Sequence, residues 1–119
     1  MTGSATKKFM VLYLVPSAVL EQWSRTDPET KKAAEAKMQL EWKAWMASNA
    51  SMILSTEVGG KTKRVTAEGT SDFKNEIMLY SFVEAESQDV AAKAYEKHPH
   101  LQIPQSSIEV MEVRSMGTN

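Results

Sequence analysis

The chain has 119 residues, no cysteine, a net charge of -1, and apolar and charged fractions of 42% and 24%. Those values predict one ordinary globular domain with its own core, and they exclude disulfides, zinc–thiolate centres and a thiol nucleophile. A pI near 6.1 gives no field to hold a polyanion, so nucleic acid is not an expected partner.

The longest apolar run, residues 9–16, is far shorter than a membrane span, and the opening MTGSATKK lacks the apolar core of a signal peptide. A cytoplasmic protein with no membrane partner is therefore expected. Residues 7–114 read as a single domain, with 1–6 and 115–119 as loose tails.

Residues 8–15 (KFMVLYLV) are β-prone and apolar at both parities. Phe9, Val11, Tyr13 and Val15 share one face; Met10, Leu12 and Leu14 share the other. A strand apolar on both faces is expected to be covered on both. Pro16 ends it, and Ser17 can cap a helical turn over 18–24 that carries Val19, Leu20 and Trp23. Asp27 followed by Pro28 is a helix start, and the helix is predicted to run to about Asn49. Its apolar residues form two stripes: bulky Ala34, Met38, Trp42, Trp45 and Met46, and slimmer Ala33, Ala36, Leu40, Ala44 and Ala47. The second stripe reads either as alanines chosen for helix propensity or as a face covered by another element, such as the 18–24 turn.

Residues 52–58 read as a strand, Gly59-Gly60 as a hairpin turn, and 62–66 (TKRVT) as the short partner strand with a charged edge. Residues 67–75 read as loop. Residues 76–83 form a second strand apolar on both faces. Ser87 then caps a helix over 88–97 whose inward stripe is Val90, Ala91, Ala94 and Tyr95. His98 should complement the helix dipole as a cation, Pro99 should stop the helix, and 107–114 should be the last strand.

Without the extra hairpin strand the order is βαββαβ, a ferredoxin-like α+β protomer with both helices on one sheet face. Two helices cover one face only. The second apolar face then calls for a second copy, two sheets face to face forming a dimeric α/β barrel. A homodimer is expected.

The opening KKFMVLY, the WKAWMA helix and above all YSFVEAES … HPHLQIPQSSIEVMEV resemble the YCII-related family over residues 7–113. That resemblance implies a small bacterial protein of unknown function with a dimeric α+β barrel of ferredoxin-like protomers. Some relatives carry a histidine and aspartate pair in the barrel cleft. At the matching place this chain has Thr26-Asp27-Pro28-Glu29-Thr30, and no histidine precedes His98. A DGPF-like segment of many relatives is replaced by GTSDFKN.

Candidate chemistry rests on few residues. His100 and His98 flank a proline and could serve as a general base or metal ligand at a cleft rim. Their packing alternative is a helix-end cap for His98 and a surface or packed loop for His100. Two histidines two apart, with no third ligand in register, do not specify a metal, and none is expected. Tyr13, Ser81 and Tyr80 could orient a small ligand if they line the barrel, or make room for and hydrogen-bond to neighbours in a plain core. Trp23, Trp42, Trp45 and the eight methionines could line an aromatic pocket or be core. Of Glu109 and Glu112, one could be a cleft carboxylate. The expected function is a homodimer binding a small metabolite in a barrel cleft. The alternative is a cofactor-independent enzyme, of proton-transfer, lyase or monooxygenase-like type, acting on a small aromatic compound. An RNA-binding βαββαβ module ranks below both, because the chain is slightly acidic and lacks the RNP pattern.

Overall fold

In the computed structural model, which describes residues 6–117, strand β1 (Lys7–Leu14) is a central strand of a four-stranded sheet. The expected tails at residues 1–5 and 118–119 lie outside the described residues. Phe9, Val11, Tyr13 and, just past the strand, Val15 are buried, while Met10, Leu12 and Leu14 are half-buried. The alternation fits a strand with one fully covered face.

Helix α1 (Ser17–Ser24) starts without the expected Ser17 cap; the Pro16 carbonyl accepts from the N–H groups of Val19 and Leu20. Helix α2 (Pro28–Ser48) starts as the sequence indicates: the Asp27 side chain accepts from the Thr30 N–H at 2.9 Å, with Pro28 in the first turn. No residue of α2 is buried. Of its bulky stripe, Met38, Trp42, Trp45 and Met46 are half-buried and Ala34 is exposed, whereas the alanine stripe is exposed throughout, with Leu40 71% exposed. The slim stripe thus reflects helix propensity.

The strands after α2 depart from expectation. Strand β2 (Ile53–Val58) pairs with β5 (Ile77–Ala85), and β3 (Thr62–Thr66) pairs with β4 (Gly69–Phe73). The hairpin expected at Gly59-Gly60 is therefore absent. Gly59 keeps following β5, donating its N–H to the Met78 carbonyl at 2.8 Å, and a Cβ there would sit 3.1 Å from the Ile77 carbonyl oxygen. The real hairpin turns between Thr66 and Gly69, with Gly69 at φ +131° and Thr66 Oγ1 accepting the Glu68 N–H. Residues 69–73 were expected to be loop because Gly-Thr-Ser-Asp shows no apolar alternation. Both hairpin strands are largely exposed, so burial imposes none.

Helix α3 (Gln88–Ala94) is capped by Ser87, whose hydroxyl accepts from the Val90 N–H at 3.1 Å. It ends three residues earlier than expected, because the chain turns at Tyr95 to bring His98 inward. A 3-10 turn (Pro99–Gln102) then leads to β6 (Ser107–Glu112). His98 does not act as a cation at a helix C-terminus. It is the buried N-cap of the 3-10 turn.

The sheet order is β2-β5-β1-β6 with every pairing antiparallel. Val11 lies between Ser81 and Val110, and Tyr13 between Leu79 and Ile108. α2, through Trp42 and Trp45, and α3, through Ala91 and Tyr95, cover the face bearing Phe9, Val11 and Tyr13. The protein is an α+β fold whose core lies between that face and the two helices. The other face presents Met10, Leu12, Leu14, Tyr80 and Phe82 half-buried, with Met111 50% exposed. Among the described residues no helix is long and apolar enough to cross a membrane.

Candidate functional site

The middle of the covered face is polar. Val11, Val83 and Phe9 surround Ser81, which is fully buried on β5. A hydroxyl there must find partners, because leaving it unpaired would cost about 1–3 kcal/mol. It finds two. Ser81 Oγ is 2.8 Å from Thr56 Oγ1 on β2 and 3.0 Å from Tyr13 Oη on β1. Tyr13 in turn donates to Tyr95 Oη at 3.4 Å. Each of these hydroxyls can donate one proton and accept another, so the four form a continuous chain. The chain of hydroxyls runs from the edge strand β2 to α3. Burial raises the pKa of both tyrosines above the usual phenol value, so both stay protonated.

The two histidines close the site from the 3-10 turn. Each is 1% exposed. Pro99 holds them apart in sequence, and the turn brings both rings against Tyr13, at 5.3 Å for His98 and 5.6 Å for His100. His100 Nε2 lies 3.0 Å from the Leu14 carbonyl and donates to it. His98 Nδ1 accepts the His100 backbone N–H at 3.0 Å, which fixes the proton of the neutral ring on Nε2. That Nε2 is buried without a hydrogen-bond partner. Four rings surround it: Trp42 at 4.3 Å, Trp45 at 4.5 Å, Tyr13 at 5.3 Å and Tyr95 at 5.6 Å between centroids. Burial, and then the nearby His100, push the His98 pKa down to about 4. Burial likewise lowers that of His100, against the opposing pull of the Leu14 and Ser107 backbones. Both rings are neutral near pH 7.

Of the residues singled out from the sequence, Tyr13, Ser81, His98 and His100 converge on this one cluster, with Trp42 and Trp45 against it. Tyr80 does not. It lies on the opposite sheet face, where its ring meets Phe82 edge-on at 6.3 Å. Glu109 follows it to that face, paired across from Leu12. Sequence reasoning missed Thr56 and Tyr95 as members. Tyr95 was legible as an inward helix residue whose hydroxyl would need a partner; Thr56, one threonine in an ordinary strand, gave no signal.

The lid over the cluster is α2. Trp45 Nε1 donates to the Ala94 carbonyl at 3.1 Å, and Gln102 Nε2 donates to Glu41 Oε1 at 2.9 Å. These ties and the Trp42 ring hold a helix that has no buried residue of its own.

The cluster offers hydrogen-bond donors and ring faces but no carboxylate. Among the described residues no group of three His, Cys, Asp or Glu side chains could hold a metal ion. An exposed concavity of about 430 Å³ between α3 and β6 reaches Tyr95 from outside. A second, of about 750 Å³, lies at the root of the β3–β4 hairpin, lined by Leu20, Lys61, Lys74 and Met78 among others. Compared with protein-family models and with curated proteins, the chain matches no family model and no curated sequence.

Proposed function

We propose that this protein is a cytoplasmic homodimer of ferredoxin-like protomers, as in the YCII-related family it resembles. In this reading it binds a small aromatic metabolite in the cleft between the sheet and α2. The observation that carries the ligand reading is the buried, unpartnered Nε2–H of His98 inside a box of four aromatic rings. Such a donor gains most from an acceptor atom on a flat molecule that can also stack on Trp42 or Trp45. Tyr13 and Ser81 supply further polar anchors. Entry would require α2, which has no buried residue of its own, to lift from the sheet.

The strand order β2-β5-β1-β6 agrees with βαββαβ connectivity once the β3–β4 hairpin is set aside. The dimer is supported by the apolar open face and by the shape. The radius of gyration is 16.9 Å, against about 13 Å for a compact domain of this length. The accessible surface is 8704 Å², against roughly 6,500 Å² for a compact monomer of this mass. A face-to-face pair would cover the Met10, Leu12, Leu14, Tyr80 and Phe82 surface.

A second reading is favoured by the continuous hydroxyl chain. Thr56, Ser81, Tyr13 and Tyr95 could pass a proton to or from a bound aromatic compound without a cofactor. Turnover of a bound compound would separate this reading from simple binding.

A thermal-shift screen of small aromatic carbonyl and phenolic compounds tests the site, since a ligand that binds only the folded state raises its melting temperature. Wild type should be stabilised by a subset that His98→Phe ignores. No stabilising compound, or equal stabilisation of both proteins, would sink the proposal.

A further inference from the structure

The β3–β4 hairpin is attached to the fold only at its stem. No residue of either strand is buried, and Val65 is 74% exposed. Its strands pack on each other and make no substantial packing against another element. A two-stranded ribbon of this kind is marginal in water unless something packs on it. One of its faces is an Arg64 guanidinium lying 3.8 Å over the Phe73 ring. On the other face Lys61, Lys63 and Val65 follow at spacing two, so one apolar side chain sits beside cations. Lys63 is paired across the ribbon with Asp72, whereas Lys61, at the base of the same face, makes no ion pair among the described residues.

A complementary surface exists at the other side of the fold. The groove between α3 and β6 has an apolar floor that includes Leu101, Ile108 and Val110 and an acidic rim of Asp89 and Glu96, with about 430 Å³ of room. β6 is the sheet edge opposite β2, the strand that feeds the hairpin. The groove is therefore empty of the hairpin of its own chain.

We infer that the β3–β4 hairpin is an arm that seats Val65 in the α3–β6 groove of a second copy, with Lys61 set against the rim carboxylates. A twofold axis would place two arms in two grooves, so each contact is made twice. Opposite charge selects the partner and the register, and the buried valine contributes the apolar part. This inference rests on the homodimer proposed above.

Sedimentation equilibrium of the full chain at low salt tests it, with far-UV circular dichroism confirming that each variant folds. Lys61→Glu and Glu96→Lys should each raise the dimer dissociation constant about tenfold, and the double variant should return to within about threefold of wild type. Val65→Asp should weaken the dimer further than either. A wild-type dimer whose constant stays within about twofold in all four variants would overturn the arm and leave the dimer standing. A wild-type monomer would overturn the dimer and the arm with it.

Discussion

The backbone N–H of His100 donates to Nδ1 of His98 at 3.0 Å, and this single bond decides the chemistry of the cluster. It places the proton of the ring, which burial keeps neutral, on Nε2, where no acceptor meets it. The fold leaves this donor without an acceptor.

The same burial makes stability depend on pH. His98 has a folded pKa of about 4, below its unfolded value of 6.5. Its contribution is therefore whole above pH 6.5 and is lost as pH falls from 6.5 toward 4, where the unfolded chain takes up a proton that the folded one refuses. His100 shifts in the same direction. Urea unfolding should show a loss of about 2 kcal/mol between pH 7.5 and pH 5 from His98 alone. His98→Phe should flatten that slope; an unchanged slope would place the titrating group elsewhere.

Ser81 ties three strands together through its hydroxyl. Ser81→Ala leaves Tyr13 and Thr56 without that partner and should cost about 1–3 kcal/mol. Tyr13→Phe should cost a similar amount, and the double variant should cost less than the sum because the two share one bond. Additive losses in denaturant titration would mean that the hydroxyl chain is not formed.

Helix α2 should open before the sheet does. Trp45→Phe removes the indole bond to the Ala94 carbonyl while keeping most of the ring packing. Stability should fall by about 1 kcal/mol, and amide exchange within 28–48 should quicken more than in β1 or β5. Equal quickening across the chain would argue against a separately opening lid.

The proposed dimer uses the open sheet face. Leu12→Asp puts a charge at its centre, between Tyr80 on β5 and Glu109 on β6, and burying it against a partner would cost several kcal/mol. Light scattering should fall from about twice 13.3 kDa to 13.3 kDa. Leu40→Lys, on the exposed stripe of α2, should leave both mass and stability unchanged within about 0.5 kcal/mol. A Leu12→Asp protein of undiminished mass would remove this face from the interface.

Much of the fold could be read from residue pattern, because burial writes itself into sequence. The two central strands announce themselves by apolar residues at both parities, and Asp27-Pro28 and Ser87 mark helix starts that the structure keeps. The hairpin is illegible for the opposite reason. Nothing packs on it, so Gly-Thr-Ser-Asp carries no alternation, and Gly59-Gly60 drew attention that belonged to Thr66 and Gly69. Tyr13 and Ser81 were visible as polar interruptions of apolar strands. That His98 and His100 would join them could not be read, since it depends on a 3-10 turn that swings the chain inward after Tyr95. Glu109 and Tyr80 show the converse: plausible chemistry by residue type, placed on the far face by strand parity.

The most direct measurement follows the ring nitrogens of His98 by 15N-edited NMR while small aromatic carbonyl compounds are added. The expected result is a compound that shifts the His98 Nε2 signal together with the indole signals of Trp42 and Trp45. Binders that perturb only the α3–β6 groove or the open sheet face, with His98 silent, would contradict a ligand cleft beneath α2.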